Sequence, residues 1–138
     1  FRMSKVVSIN YNFFYEWMEN IKNKKLIEAF SNYYLSPISL DYTIKNILKE
    51  NLYGVVHLTG EKKVSYYEFA NKLIDSKLQA NLIKNIEVNF KKKEYLNNSK
   101  KKSMNMNLTK KKYNIKPQKI KSVIKDLLKE YKKIQNEY

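Results

Sequence analysis

The stretch from Gly54 to Ala70, GVVHLTGEKKVSYYEFA, constrains the fold of this chain more than any other. Val55, Val56, His57 and Leu58 form a short β-branched and apolar run set between Gly54 and Gly60. That is the pattern of a strand covered on both faces. Ser65 then precedes an apolar-periodic segment, with Glu68 three residues on. This spacing predicts a capping box, in which the hydroxyl accepts from a first-turn N–H and the carboxylate reaches back to the cap's own N–H. Phe69, Ala70, Leu73 and Ile74 share one side of the predicted helix, which runs to about Leu78. A strand feeds a helix that packs back on a sheet.

The rest of the chain extends that alternation. Phe1–Ser4 reads as the end of a strand. Phe13, Phe14, Trp17, Met18 and Ile21 fall at helical spacing and predict an amphipathic helix from about Asn10 to Asn23. Leu26 to Phe30 is a short strand candidate. SNYYLSPIS reads as a loop, because the residue before Pro37 is biased to extended geometry. Ser39 can cap a following helix with Asp41 in its first turn, and Leu40, Ile44, Ile47 and Leu48 supply its buried stripe to about Glu50. Asn85 to Phe90 alternates like a strand. A lysine-rich loop, Lys91 to Ser103, leads to a short helix or turn between Asn105 and Tyr113. Pro117 suits the start of a last helix. That helix carries Ile120, Val123, Ile124, Leu127, Leu128, Tyr131 and Ile134 on one face and lysines on the other. The order is that of an α/β fold with parallel pairing, in a single domain over residues 1–138.

Composition narrows the chemistry. The chain has no cysteine and one histidine, His57, so disulfides, thiolate sites and a histidine-ligated metal are not expected. No apolar run approaches the ~20 residues that span a bilayer, and no signal peptide is visible; a cytoplasmic protein is the expectation. The sequence begins at Phe1 in what reads as a strand already under way, so a piece of a longer polypeptide is expected. Net charge is +15, of which residues 1–80 hold +3 and residues 81–138 hold +12. Such asymmetry suggests an anionic partner. Yet Arg2 is the only arginine, and readers of bases and phosphates favour the bidentate guanidinium, so composition argues against a dedicated nucleic-acid role. A basic nucleic-acid module is kept as a third reading, with salt-sensitive binding as its signature.

No complete catalytic constellation stands in these residues. The only glycines are Gly54 and Gly60, which rules out a glycine-rich phosphate loop, and His57 lies within an apolar strand as a packed core residue. An anion site is better supported. Lys100, Lys101 and Lys102, with Asn105, Asn107 and Lys110, offer ammonium and amide donors to a diphosphate, and charge-assisted hydrogen bonds are about twice as strong as neutral ones. A solvated basic loop is an equal reading of the same residues.

Taken together, these pieces resemble the extended short-chain dehydrogenase/reductases acting on nucleotide sugars, in particular the dTDP-4-dehydrorhamnose reductase family. Phe1–Ser4 resembles the family's "ϕ-R-x-S" strand end, and Asn12–Phe13 its "N-F" at a helix start. Ser36–Pro37–Ile38 with Asp41 resembles "S-P-T-x-x-x-D". Gly54–Gly60 and Ser65–Ala70 resemble "G-ϕ-ϕ-H-ϕ-x-G" and "S-x-x-E-F-A". Asn105–Lys110 resembles "S-x-L-D-x-S-K", and Tyr113–Pro117 resembles "l-G-I-x-P". The chain departs from the pattern at three places. Lys100–Lys102 stand where an Arg-Pro pair is usual, Asn107 where an Asp is usual, and Ile38 where a Thr is usual.

The resemblance implies a Rossmann-like fold and a C-terminal, substrate-binding part. The dinucleotide loop and the Tyr-x-x-x-Lys pair of the family lie upstream and are absent from this sequence. It further implies that the intact protein reduces or epimerises a 4-keto nucleotide sugar with NADP or NAD, the upstream tyrosine acting as general acid. No catalytic residue is expected in this chain. The substrate-binding residues it implies are Asn12, Phe13, Ser36, Pro37, Lys100, Lys101, Lys102, Asn105, Asn107 and Lys110. The implied partner is a nucleotide-diphosphate sugar, with no membrane and no metal; a homodimer is compatible with this reading. A non-catalytic relative serving as a regulatory subunit is the alternative.

Overall fold

The computed structural model describes residues 1–10, 12–74, 83–86 and 106–137, with the side chains of Asn12 and of residues 83–86 left out. Its elements are β1 (Arg2–Met3), β2 (Lys5–Val7), α1 (Asn12–Lys22), β3 (Ile27–Phe30), β4 (Tyr34–Leu35) and β5 (Pro37–Ser39). They continue with α2 (Leu40–Ile47), β6 (His57–Leu58), β7 (Val64–Ser65), α3 (Tyr66–Leu73), β8 (Ile83–Ile86), α4 (Asn107–Tyr113) and α5 (Ile120–Glu137). The architecture is mixed α/β, with short strands between helices. Three strand pairs are parallel, β1–β6, β2–β5 and β3–β8, and one is antiparallel, β4–β7.

Local chemistry explains the helix starts. Ser65 Oγ accepts from the Glu68 N–H at 3.0 Å, and Glu68 Oε2 accepts from the Ser65 N–H at 2.7 Å, completing the capping box at α3. Ser39 Oγ accepts from the Tyr42 N–H at 3.1 Å and so caps α2. Asn114 closes α4 at a φ of 54°, the left-handed conformation that asparagine tolerates and glycine favours. The family pattern carries a glycine at that place.

Two apolar cores result. The larger joins α1, β3, α3 and α5 through Phe14, Trp17, Ile27, Phe69, Val123 and Leu127, all buried. Phe14 meets Phe69 edge-on at 5.5 Å. The predicted apolar face of α5 supplies Ile120, Val123, Ile124 and Leu127 to this core, and its lysines are exposed. The smaller core holds Ile38, Val56, Leu58, Met106 and Ile115, between β5, β6 and α4.

Several expectations need correction. SNYYLSPIS is not a plain loop: it holds β4 and β5, and buried Pro37 sits in β5, opposite Lys5. The strand predicted at Val55–Leu58 is shorter and covered on one face only among the described residues. Val56 and Leu58 are buried, but Val55 is 60% exposed. The largest reversal is α2. Its buried residues are Thr43 and Asn46, whereas Ile44, Ile47 and Leu48 are 45%, 41% and 75% exposed. Thr43 Oγ1 donates to the Ser39 carbonyl and Asn46 Nδ2 to the Tyr42 carbonyl, both at 2.8 Å, so the buried polar groups are satisfied within the helix. The last helix begins at Ile120, three residues beyond Pro117. The fourth predicted strand begins at Ile83, ahead of Asn85, and residues 87–90 lie outside the described residues.

Candidate substrate site

Three of the motifs that carry the family resemblance, those of Ser4, of Ser36–Pro37 and of Gly60, meet at one junction. The Ser4 N–H donates to the Leu58 carbonyl at 2.9 Å, and its hydroxyl donates to the Ser36 carbonyl at 2.7 Å. Ser4 thus ties β6 to the segment entering β5, at the point where the chain switches partners between β1 and β2. Gly60 lies against the same segment: a Cβ there would fall 2.5 Å from the Pro37 carbonyl oxygen. Only glycine fits so close an approach. Gly60 also bridges to Gln118, whose N–H donates to the Thr59 carbonyl at 3.1 Å. Gln118 Nε2 donates to Ser39 Oγ and to Asp126 Oδ2, both at 2.9 Å, and its Oε1 accepts from the Ser39 N–H at 2.7 Å. The Ser39 hydroxyl donates to Asp126 at 2.5 Å. A satisfied polar network of this kind fixes the β5–α2 turn to α5.

The expected binding residues fall in three places. Asn12 opens α1, and Phe13 beside it is half-buried in an aromatic row. Phe13 lies 4.3 Å from Trp17 and 5.5 Å from Tyr66, and Tyr66 stacks on Tyr33 at 5.4 Å. Burial and Tyr33 push the Tyr66 hydroxyl above its ordinary value. This row links the start of α1 to Tyr33, just ahead of β4. Asn107 and Lys110 are exposed on α4. Lys100, Lys101, Lys102 and Asn105 lie outside the described residues.

The α4 end of the site has defined geometry. The His57 N–H donates to Thr109 Oγ1 at 2.9 Å, and the Thr59 N–H to Met106 Sδ at 3.2 Å, so α4 closes the outer edge of β6. Beside it opens a cavity of about 580 Å³ lined by Tyr53, Gly54, Val55, Leu108, Thr109, Lys111, Lys112 and Tyr113. The Lys112 ammonium stands 3.6 Å from the centre of the Tyr53 ring and 5.1 Å from that of Tyr113, a double cation–π arrangement. The Tyr113 hydroxyl donates to the Tyr53 carbonyl. Desolvation pushes the Tyr113 hydroxyl up, but the hydrogen bonds it accepts from the Lys112 ammonium and from the Tyr53 N–H, the latter at 3.2 Å, outweigh this and hold its pKa below the usual tyrosine value. Tyr53, Lys112 and Tyr113 were not expected from the sequence; the signal that could have found them is a tyrosine beside Gly54 and the Lys-Tyr pair ending α4.

The described residues do not fit a dinucleotide's diphosphate. The junctions β5–α2 and β7–α3 are closed by serine caps with no glycine in the turn, so no glycine-rich cradle precedes a helix N-terminus there. Among the described residues no cluster of three or more His, Cys, Asp or Glu could hold a metal, and no helix is long and apolar enough to cross a membrane.

Comparison with known proteins gives no matching family model, and no curated protein matches by sequence. Solved structures do match. The dTDP-glucose 4,6-dehydratase of Bacillus anthracis, in complex with NAD, superposes with a TM-score of 0.67 at 11% identity, covering 98% of this chain and 44% of its own. The dTDP-4-dehydrorhamnose reductase of the same organism, in complex with NADP, gives 0.65 at 16% identity, covering 94% and 47%. The UDP-glucuronic acid 4-epimerase of Bacillus cereus, in complex with UDP-glucuronic acid and NAD, gives 0.59 at 11% identity, covering 96% and 44%. The fold is that of one part of the extended short-chain dehydrogenase/reductases. This chain spans less than half the length of those three structures. The Rossmann-like expectation holds for the fold.

Proposed function

We propose that this chain is the substrate-binding part of an NAD(P)-dependent oxidoreductase that reduces or epimerises a 4-keto nucleotide sugar, in cytoplasmic synthesis of a polysaccharide precursor of the dTDP-rhamnose kind. The reading rests on one coincidence. The fold matches nucleotide-sugar enzymes over 94–98% of the chain, and three of the family-like motifs converge on the junction of Ser4, Ser36, Pro37 and Gly60. Residues 1–138 form one domain in this account. NADP or NAD, the glycine-rich loop and the Tyr-x-x-x-Lys pair belong to a complementary part.

The nucleotide-diphosphate sugar is held by three groups of residues. Asn12 and Phe13 stand at the start of α1, and Ser36 and Pro37 at the β5 turn. The basic run of Lys100, Lys101, Lys102, Asn105, Asn107 and Lys110 takes the diphosphate. The α4 lysines support this assignment, because ammonium groups bind phosphate oxygens through charge-assisted hydrogen bonds.

Calorimetric titration of the intact protein with thymidine diphosphate and uridine diphosphate tests the reading. Saturable binding of one of them is expected, and Lys110→Ala combined with Lys111→Ala weakens it by about 10-fold, near 1.4 kcal/mol. Absence of saturable binding by a folded, intact protein overturns it.

A further inference from the structure

The strongly basic half of the chain carries a built feature that nucleotide-sugar binding does not use. Between the end of α3 and the exposed side of α5 runs an open groove of about 930 Å³. Asn71 and Lys72 form its α3 wall. Helix α5 lines it from Ile120 to Asn136, roughly 24 Å at 1.5 Å per residue. Ile120 and Ile124 close the floor, and Leu128 lies half-buried along it. Lys121, Lys125, Lys129 and Lys132 follow i, i+4, i+8 and i+11 spacing, a basic ribbon along one side of the helix. Their methylene stems add apolar wall beneath the ammonium groups.

The acids of α5 do not neutralise this ribbon. Asp126 accepts from Ser39 and Gln118, and Glu130 accepts from the Ser8 hydroxyl and the Ile9 N–H, both at 2.8 Å. Among the described residues, Lys129 is the only lysine of the groove with a carboxylate in ion-pair range, Asp41 at 3.8 Å, and both groups are exposed. No described acid lines the groove. Unpaired like charges held along an apolar floor call for an occupant that brings carboxylates and apolar groups together.

We propose that this groove docks an acidic amphipathic helix of a partner protein, its carboxylates over the lysine ribbon and its apolar side chains along Leu128 and the lysine stems. The proposal goes beyond the nucleotide-sugar reading and does not depend on it. Length and chemistry select the occupant. A groove of roughly 24 Å suits about 16 residues of helix, in the helix-in-groove mode, and is far longer than a small anion needs. A nucleic acid would leave the apolar floor unused, and its readers favour arginine, of which this chain has only Arg2. The chain's own residues 75–105 carry eight lysines against three acids, and a second copy brings a net charge of +15. Like charge opposes both.

Fluorescence anisotropy of the intact protein with a labelled 16-residue helical peptide, leucines on one face and glutamates on the other, tests the assignment. Saturable binding is expected, at least ~10-fold tighter than that of a scrambled peptide of the same composition. Equal binding of the scrambled peptide overturns the proposal, as does tighter binding of a 16-nucleotide single-stranded RNA or of phosphatidylserine–phosphatidylcholine vesicles, or no peptide binding at all. Lys125→Glu with Lys132→Glu is expected to weaken the peptide at least ~10-fold at 0.1 M salt. The same variant should leave the circular dichroism and the thymidine diphosphate titration unchanged. Lys49→Glu with Lys62→Glu makes the same charge change at exposed lysines that do not line the groove. It is expected to alter peptide affinity by less than ~2-fold, because exposed charges more than a Debye length away are largely screened. An equal loss in that variant assigns the binding to net charge and overturns the groove.

Discussion

The two cores of this molecule differ in what they leave uncovered. The larger draws on strands β2, β3, β4 and β7 and three helices, and among the described residues it holds seventeen buried apolar side chains. The smaller holds five. Exposed large apolar side chains crowd around the smaller one: Leu40, Ile44, Ile47, Leu48, Val55 and Leu108. The family-like junction and the Tyr53–Lys112–Tyr113 cavity lie on that same side. One region is built to hold itself together. The other is thinner, and among the described residues its neighbouring apolar side chains are left exposed.

The largest expected effect tests that contrast by truncation. Phe69→Ala, at a fully buried ring against Phe14, costs about 3–5 kcal/mol, and Leu58→Ala in the thin core costs about 2 kcal/mol because its surroundings relax more easily. Urea denaturation measures both, and equal losses would erase the distinction. Gly60→Ala is next, at about 2 kcal/mol, because the added methyl meets the Pro37 carbonyl and the backbone must shift. Gly54→Ala costs about 1 kcal/mol for a different reason: its φ is +75° and nothing lies within 4 Å, so conformation and not space requires the glycine.

A pH titration sharpens the comparison further. Burial pushes Tyr42, beside the smaller core, up to about 12, and its hydroxyl donates to the Lys116 carbonyl at 2.7 Å. Burial and the 2.6 Å bond to Glu19 push Tyr131, on the larger core, higher still. Both folded-state values lie above the unfolded value near 10. Their stabilisation is therefore intact below about pH 10 and is lost as pH rises toward 12, where the unfolded chain ionises first. Tyr42→Phe and Tyr131→Phe should each flatten the fall of the unfolding midpoint above pH 10; an unchanged slope would refute the assignment. The smallest effect is the double change Ile44→Lys and Ile47→Lys, which should alter the stability of the isolated chain by no more than about 0.5 kcal/mol, because both side chains already face solvent.

The larger core was legible in the sequence, because its helices keep a strict apolar period. The face of α5 from Ile120 to Leu127 and the Ser65–Glu68 capping box are where patterning placed them. The existence of α2 was equally legible from Ser39 and Asp41, but its orientation was not. An apolar stripe states only that a helix seeks cover, and the cover for Leu40, Ile44 and Ile47 is not among the described residues. Val55 misled for the same reason. The strands β4 and β5 escaped notice because two- and three-residue strands around a proline carry no period. The junction of Ser4, Ser36 and Gly60 was legible only through family resemblance, since residues this far apart in sequence share no local signal. Lys100, Lys101, Lys102 and Asn105 lie outside the described residues, and their role stays with the proposal.

Residue-resolved amide hydrogen exchange of the 138-residue chain tests most directly the claim that the larger core holds its elements more firmly than the smaller one. Amides of β3, α3 and α5 should exchange only through global unfolding, while those of α2 and β6 open at markedly lower free energy. Equal protection across both regions would contradict the account, because the smaller core would then hold its elements as firmly as the larger one does.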